Sequence, residues 1–288
     1  MHNEHLQKIE PALYVVATPI GNLRDITLRA LDVLAGVDVV AAEDTRNTSH
    51  LLKHHGIHAK QLIAVHQHNE RGAAEKLVSL LLAGQSVAFV SDAGTPAVSD
   101  PGALLVQAVQ SAGLRVIPIP GASAAVAALS SSGLAAPHFL FYGFLPNKSA
   151  ARRTVMQGLS SHPYTLVFYE APHRIVECIT DLHAVLGGER TIVLAREVTK
   201  LFETIHACKL SEAEAWLQSD SNQQRGEFVV LVSGAQPEEG LSAETLNTLS
   251  LLLEELPLKQ AAQLAAKITG ANRSELYQHA LALKSAKE

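Results

Sequence analysis

The chain has 288 residues, 47% of them hydrophobic and 18% charged, with a formal net charge of −5. That length suits two moderate domains and a short appendage, and that charge excludes a protein that coats nucleic acid non-specifically while leaving room for a local basic rim. Only Cys178 and Cys208 occur, far apart and in no CxxC pair, so a reduced, cytosolic setting is expected with both as core filler.

The polar start, MHNEHLQKIE, lacks the apolar core of a signal peptide. The first half then alternates short apolar strands with amphipathic helices. Strands are expected at Ala12–Ala17, Val37–Ala42, Val87–Val90 and Arg115–Pro118. Helices are expected at Thr27–Ala35, opened by Asp25 or Thr27, and at Thr48–His55, Ala73–Ala83, Ala103–Ala112 and Ala122–Ser131. Pro101 is placed to start the fourth of these. Such alternation predicts an α/β domain over 12–133 with a mostly parallel sheet covered on both faces. Val116–Asn147 is free of Asp, Glu, Lys and Arg, but Pro118, Pro120, Gly121, Ser130–Ser132 and Pro137 break it, so no membrane span is expected.

A second α/β domain with a mixed sheet is expected over 138–234. Its strands are Phe139–Phe144, Tyr164–Tyr169, Thr191–Arg196, Glu203–Ala207 and Glu227–Ser233, the third and fourth as an antiparallel hairpin. Its helices are Ala150–Gly158, Pro172–Leu186 and Ser211–Leu217. Gly234–Gly240 reads as a solvated linker. A helical tail over 242–285 follows, with Gly270 as a stop before a helix at Arg273–Leu281. That spacing suits either a helix-turn-helix or a packing pair of helices.

Three loops of small residues each follow a strand: Thr18-Pro-Ile-Gly-Asn-Leu23, Ser91-Asp-Ala-Gly-Thr-Pro-Ala-Val-Ser-Asp-Pro-Gly102 and Pro118-Ile-Pro-Gly-Ala-Ser-Ala124. Ligands in such sheets bind beyond the carboxyl ends of the strands, so the loops should converge on a small polar ligand held mainly by backbone. Neither GxGxxG, GxxxxGK[ST] nor GxSxG occurs, so neither a Rossmann site nor a P-loop is indicated and a hydrolase reading is weakened. His66-Gln-His-Asn-Glu70 could offer metal ligands, but Asn69 reads better as a helix cap and no metal is expected. Further polar groups follow strands at Glu43–Arg46, Leu145–Lys148, Tyr169–Arg174 and Ala195–Lys200.

The ordered set ATPIGNLRDIT, AAEDTRNT, HNE, VSDAGTPAVSDPG, PIPGASA, GFLPNKSAARR, FYEAPHR, LAREVTKLFET and RGEFVVLV closely resembles the ribosomal RNA small subunit methyltransferase I family. That family lies within the tetrapyrrole methylase-like class (class III) of S-adenosylmethionine (SAM) methyltransferases. The resemblance runs from about Leu13 to Val232, and the tail is similar to the family's helix-turn-helix region. It implies a SAM-dependent enzyme that methylates the ribose 2′-hydroxyl of cytidine 1402 in 16S rRNA. It also implies a homodimer in the cytoplasm, acting on an assembled small ribosomal subunit. Ala122 stands where relatives often carry proline, and Asn147 where many have a basic residue, which weakens a phosphate contact there.

By resemblance, Pro19, Asp92, Ala93, Gly94, Thr95, Pro96 and Ser123 hold SAM from the first domain. Phe168, Ala195, Gly226, Glu227 and Phe228 are expected around its adenine and ribose. Asp44 and Glu170, with Glu197 third, are candidate bases for the hydroxyl, while Arg46, Lys148 and Arg174 position phosphate or lower the hydroxyl pKa. Equally, the carboxylates could simply clamp those cations. Two rivals remain: a precorrin-type C-methyltransferase on the same scaffold, and a SAM-sensing nucleic-acid-binding regulator. A methyl-acceptor assay separates the first, and detectable methyl transfer removes the second.

Overall fold

The computed structural model describes residues 9–66, 69–134, 137–236, 241 and 243–285. Five strands build the first sheet: β1 (Leu13–Val16), β2 (Val39–Ala42), β3 (Leu62–Ala64), β4 (Val87–Val90) and β5 (Val116–Ile119). They run parallel in the order β3-β2-β4-β1-β5. β2 and β4 are buried along their whole length, which is why they read as unbroken apolar runs. On one face α1 (Leu28–Gly36) and α2 (Thr45–His54) bring Ala30, Val33, Leu34 and Leu52 against Tyr14, Val40 and Ala88. On the other, α3 (Glu70–Leu82) and α4 (Ala103–Ser111) pack Leu77, Leu81, Leu105 and Val109 against Leu13 and Phe89.

Several boundaries differ from expectation for identifiable reasons. β3 was not expected: it is a three-residue, half-exposed edge strand, and the short apolar run Leu62–Val65 that contains it does not by itself distinguish strand from helix. α2 starts at Thr45, three residues before Thr48, because the Asp44 carboxylate accepts the Arg46 N–H at 2.8 Å and caps it. Asn69 makes no side-chain cap on α3; its amide instead accepts from His66 N–H and donates to the Ala64 carbonyl, at 2.8 and 3.1 Å. Nor does Pro101 begin α4. Gly102 precedes the helix at φ 127°, and a Cβ there would lie 2.3 Å from the Phe89 ring. The first N–H groups of α4 are satisfied from outside, since Glu70 Oε1 accepts from Gly102 and Leu104 at 2.9 and 3.0 Å.

The second sheet contains β6 (Phe139–Phe144), β7 (Thr165–Glu170), β8 (Thr191–Arg196), β9 (Thr204–Lys209) and β10 (Phe228–Val232). Its order is β6-β7-β10-β8-β9, with β6 parallel to β7 and every other pairing antiparallel, including the β8–β9 hairpin. α6 (Ser149–Leu159), α7 (Ile175–Leu186) and α8 (Leu210–Ser219) cover one face through Met156, Ile179, Leu182 and Leu217. The opposite face receives α5 (Ala124–Ser131), whose small Ala125 and Ala128 settle on Val167, Val193, Val229 and Leu231. α6 and α7 are pinned by an ion pair: Arg152 is fully buried, and its guanidinium meets Asp181 at 2.6 Å.

The two α/β halves, expected as separate domains, form one compact unit up to Ala235. From Gln236 a second unit begins, built of α9 (Ala243–Glu255), α10 (Leu258–Thr269) and α11 (Arg273–Ser285) around Leu249, Ala262, Ala265 and Leu276. Gly270 ends α10 in the left-handed conformation, as a helix stop should. Pro237–Gly240 of the expected linker and Ser242 lie outside the described residues. Among the described residues, no helix is long and apolar enough to cross a membrane.

Candidate active site

The three small-residue loops meet at the carboxyl ends of the first sheet. Thr18 and Gly94 exchange backbone hydrogen bonds of 2.9 and 3.1 Å, and Thr95 Oγ1 donates to the Ala122 carbonyl at 3.2 Å. The β4–α4 loop then folds back on itself, with Ala97 N–H donating to the Pro101 carbonyl at 3.2 Å. Ala97 and Ser99 hold positive φ values of 65° and 63°, which non-glycine residues rarely adopt. Over-determined strain of this kind clusters at functional sites.

Below these loops lies a cavity of about 310 Å³. The first half lines it with Ile20, Ala93, Gly94, Thr95, Val98, Asp100 and Ser123. From the second half come Phe144, Tyr169 and Glu170, then Glu197 and Lys200 of the β8–β9 turn, and Glu227 and Phe228 at the start of β10. A smaller neighbouring cavity, about 190 Å³, has Pro19, Asn47, His50 and Asp92 in its wall. The residues expected around a ligand thus divide. Ala93, Gly94, Thr95, Ser123, Glu227 and Phe228 line the main cavity, while Pro19 and Asp92 line its neighbour.

Phe168 and Ala195 line neither cavity and are fully buried. β7 alternates, so Phe168 points into the core under α7 while its neighbour Tyr169 reaches the cavity. Ala195 is sealed against the α5 side of the sheet. Pro96 is buried behind the loop, and Gly226 acts through Glu197: a Cβ on Gly226, at φ 84°, would come within 2.4 Å of the Glu197 side chain.

Each expected base is engaged by a cation. Asp44 hydrogen-bonds the Arg46 guanidinium at 2.7 Å, and that bond with the Arg46 N–H holds its carboxyl down at about 2. Burial pushes Glu197 up, but the Lys200 ammonium at 2.8 Å and the Glu227 N–H at 2.9 Å outweigh it and leave it below the ordinary range. Glu170 is buried and meets Arg174 at 3.1 Å. Arg174 also donates to the Leu145 carbonyl at 2.6 Å and to Asn147 Oδ1, tying the 145–147 loop to the end of β7. Asp44 and Glu170 thus pair with Arg46 and Arg174, while Glu197 pairs with Lys200. Arg46 and Lys148 are exposed and line neither cavity.

Sequence reading gave no individual role to Asp100, Glu43 or Tyr169, although all three lie in segments it singled out. Burial first, then the Glu43 and Asp92 carboxylates, raise Asp100 to about 6 against the opposing Ser91 hydroxyl bond. Burial likewise raises Glu43, and Asp92 and Asp44 add to it. Among the described residues Asp100 makes no ion pair, unlike Asp44, Glu170 and Glu197. Tyr169 Oη accepts the Ala125 N–H at 3.2 Å, and burial raises its pKa. The one signal for Asp100 was its membership of the same loop as Asp92; the fold-back that turns it inward has no signature in the sequence.

No group of three or more potential metal ligands occurs among the described residues, though Gln67 and His68 of the expected helix cap lie outside them.

A family model described as Tetrapyrrole (Corrin/Porphyrin) Methylases matches residues 12–214, and one described as the RsmI C-terminal HTH domain matches 239–284. A Pseudomonas aeruginosa protein named ribosomal RNA small subunit methyltransferase I is 55% identical over 272 residues, covering 93% of this chain and 96% of that protein. Its namesake from Escherichia coli O157:H7 is 52% identical over 270 residues, covering 93% and 94%. Among solved structures, uroporphyrin-III-C-methyltransferase from Thermus thermophilus superposes with a TM-score of 0.56 at 21% identity, covering 77% of this chain and 94% of its own. The cobalt precorrin-4 methyltransferase CbiF gives 0.59 at 15% identity, covering 77% and 95%. These two share the fold.

Proposed function

This chain belongs to the ribosomal RNA small subunit methyltransferase I family, within the tetrapyrrole methylases, and from that premise we propose that it transfers the methyl group of SAM to the 2′-hydroxyl of cytidine 1402 in 16S rRNA. The observation that carries the reading is the cavity at the strand ends. Its volume of about 310 Å³ falls within the range of small-molecule sites. Ile20, Val98 and Phe144 offer apolar surface to a purine, and Asp100 with the neighbouring Glu43 and Asp92 supplies negative potential suited to a cation. We assign the donor to Ala93, Gly94, Thr95, Ser123, Glu227 and Phe228, with Pro19, Asp92, Pro96 and Gly226 shaping the loops behind them.

SAM supplies a methyl group already activated on a sulfonium, so the protein's main task is geometric. It has to hold the attacking oxygen in line with the methyl carbon, with reacting atoms about 3–3.5 Å apart. Small residues let backbone groups grip the donor without the cost of ordering long side chains. On the RNA side, exposed Arg46 and Lys148 are suited to phosphate, and Arg174 holds the 145–147 loop steady. The target nucleotide has to be splayed out to reach a cleft. With a net charge of −5, the protein reads an assembled small subunit in the cytoplasm rather than short naked RNA. We further propose a homodimer, for which the exposed Phe139, Tyr142, Leu201 and Phe202 provide apolar surface.

The test is to incubate the purified protein with SAM and small subunits from cells lacking the gene, then map ribose methylation. One modified cytidine in the decoding region is expected. Absence of ribose methylation, or transfer to a tetrapyrrole precursor alone, overturns the reading.

A further inference from the structure

We propose that Glu70 is a positioning residue for the donor: by fixing one peptide unit at the end of the β4–α4 loop, it holds the cavity wall in the shape that SAM needs. The proposal rests on the reading above that SAM occupies the main cavity, and deepens it by naming what pre-forms that wall.

Glu70 lines neither cavity. It is the first residue of α3 and the last of the HNE motif, which neither the donor reading nor the RNA reading uses. Its neighbour Asn69 ties this end of α3 to the end of β3, accepting from His66 N–H at 2.8 Å and donating to the Ala64 carbonyl at 3.1 Å. From that anchored position Glu70 Oε1 accepts the Gly102 and Leu104 N–H groups at 2.9 and 3.0 Å. The Pro101–Gly102 peptide unit is thereby held at both polar ends, its N–H by Glu70 and its carbonyl by the Ala97 N–H at 3.2 Å. Beneath it Gly102, at φ 127°, rests so close to the Phe89 ring that a Cβ would meet it at 2.3 Å.

The stretch closed off by these contacts carries Val98 and Asp100 into the cavity wall, with Ala97 and Ser99 in the left-handed region at φ 65° and 63°. Backbone of that kind persists only where its surroundings over-determine it. α4 supplies no anchor of its own: Gly102 makes no side-chain cap, and the first turn of the helix holds no acidic residue. Without Glu70 the two N–H groups turn to water, and the strained fold-back competes with relaxed loop conformations. Donor affinity then falls with the fraction of molecules that keep the fold-back. Bound SAM rebuilds the wall, so the transfer step itself suffers little.

Measurements on the full-length protein test this. Glu70→Ala should raise both the KM for SAM and its dissociation constant by calorimetry about 10-fold, with kcat on small subunits lowered no more than about threefold. Glu70→Gln keeps an oxygen for both N–H groups and should restore donor affinity to within about threefold of wild type. Ser86→Ala serves as the stability control: it breaks the Ser86–Asp38 hydrogen bonds of 2.8 and 3.0 Å at the opposite end of β4, and should lower the Tm without moving donor affinity. A wild-type KM in Glu70→Ala, or an equal loss of affinity in Glu70→Gln or Ser86→Ala, overturns the assignment. If Glu70→Ala does not fold, wild-type protein decides: its Gly102 and Leu104 amides should be protected from hydrogen exchange before SAM is added, and free exchange overturns the assignment equally. Failure of the underlying reading is distinguishable, because wild-type protein then gives no heat with SAM, and the proposal falls with it.

Discussion

Glu170 and Arg174 meet at 3.1 Å across the turn between β7 and α7, with the carboxylate side chain wholly buried and the guanidinium 14% exposed. Removing one partner of such a pair leaves an uncompensated charge in the interior. Arg174→Met should therefore cost about 3–5 kcal/mol in urea unfolding, and adding Glu170→Gln should recover part of the loss. Additive losses would refute the coupling.

Glu197 depends on the residue at 226. A methyl group on Gly226 would lie 2.4 Å from the Glu197 side chain, and the φ of 84° is unfavourable for alanine. Gly226→Ala should cost about 1–2 kcal/mol from the backbone alone and weaken SAM binding at least ~10-fold through displacement of Glu197 and Lys200. Calorimetry with an unchanged dissociation constant would show that this turn does not bear on the donor.

Asp100 makes stability depend on pH in a stated direction. Its folded value of about 6 lies above the ordinary aspartate value of about 3.9. Its contribution is thus fully present below the unfolded pKa and is lost as pH rises through about 6. Asp100→Asn should raise the melting temperature above that pH and give little gain near pH 4. Equal shifts at both ends would contradict the titration.

The helical unit from Gln236 onward has its own core around Leu249, Ala262 and Leu276. A chain ending at Ala235 should lose the ellipticity of α9–α11 yet still unfold cooperatively, and it should bind SAM within about twofold of the full protein, since every residue assigned to the donor precedes that point. Loss of donor binding would show that the cavity needs the tail.

What could be read in the sequence followed burial. β2, β4 and β8 are apolar runs sealed within their sheets, and such runs announce themselves. The three loops at strand ends were legible because small residues interrupt apolar ones there. β7 was legible as a strand but not in phase: Leu166, Val167, Phe168 and Tyr169 are all apolar or aromatic, so nothing in them tells which ring faces the cavity. Asp44, Glu170 and Glu197 pair with Arg46, Arg174 and Lys200 only two to four residues along the chain, so these pairs were within reach of the sequence, whereas the placement of Asp100 was not. Glu70 illustrates the same limit, capping α4 from 32 residues away.

α5 lies between the two halves in the chain but roofs the second sheet, covering Val167, Val193 and Val229. A chimera joined just before Ala124 or just after Ser131 thus has different fates. The first junction transfers the sheet with its own lid; the second seats the other parent's α5 on it, so mismatched side chains have to repack. Recombination among relatives should tolerate crossover points ahead of this helix and reject those behind it.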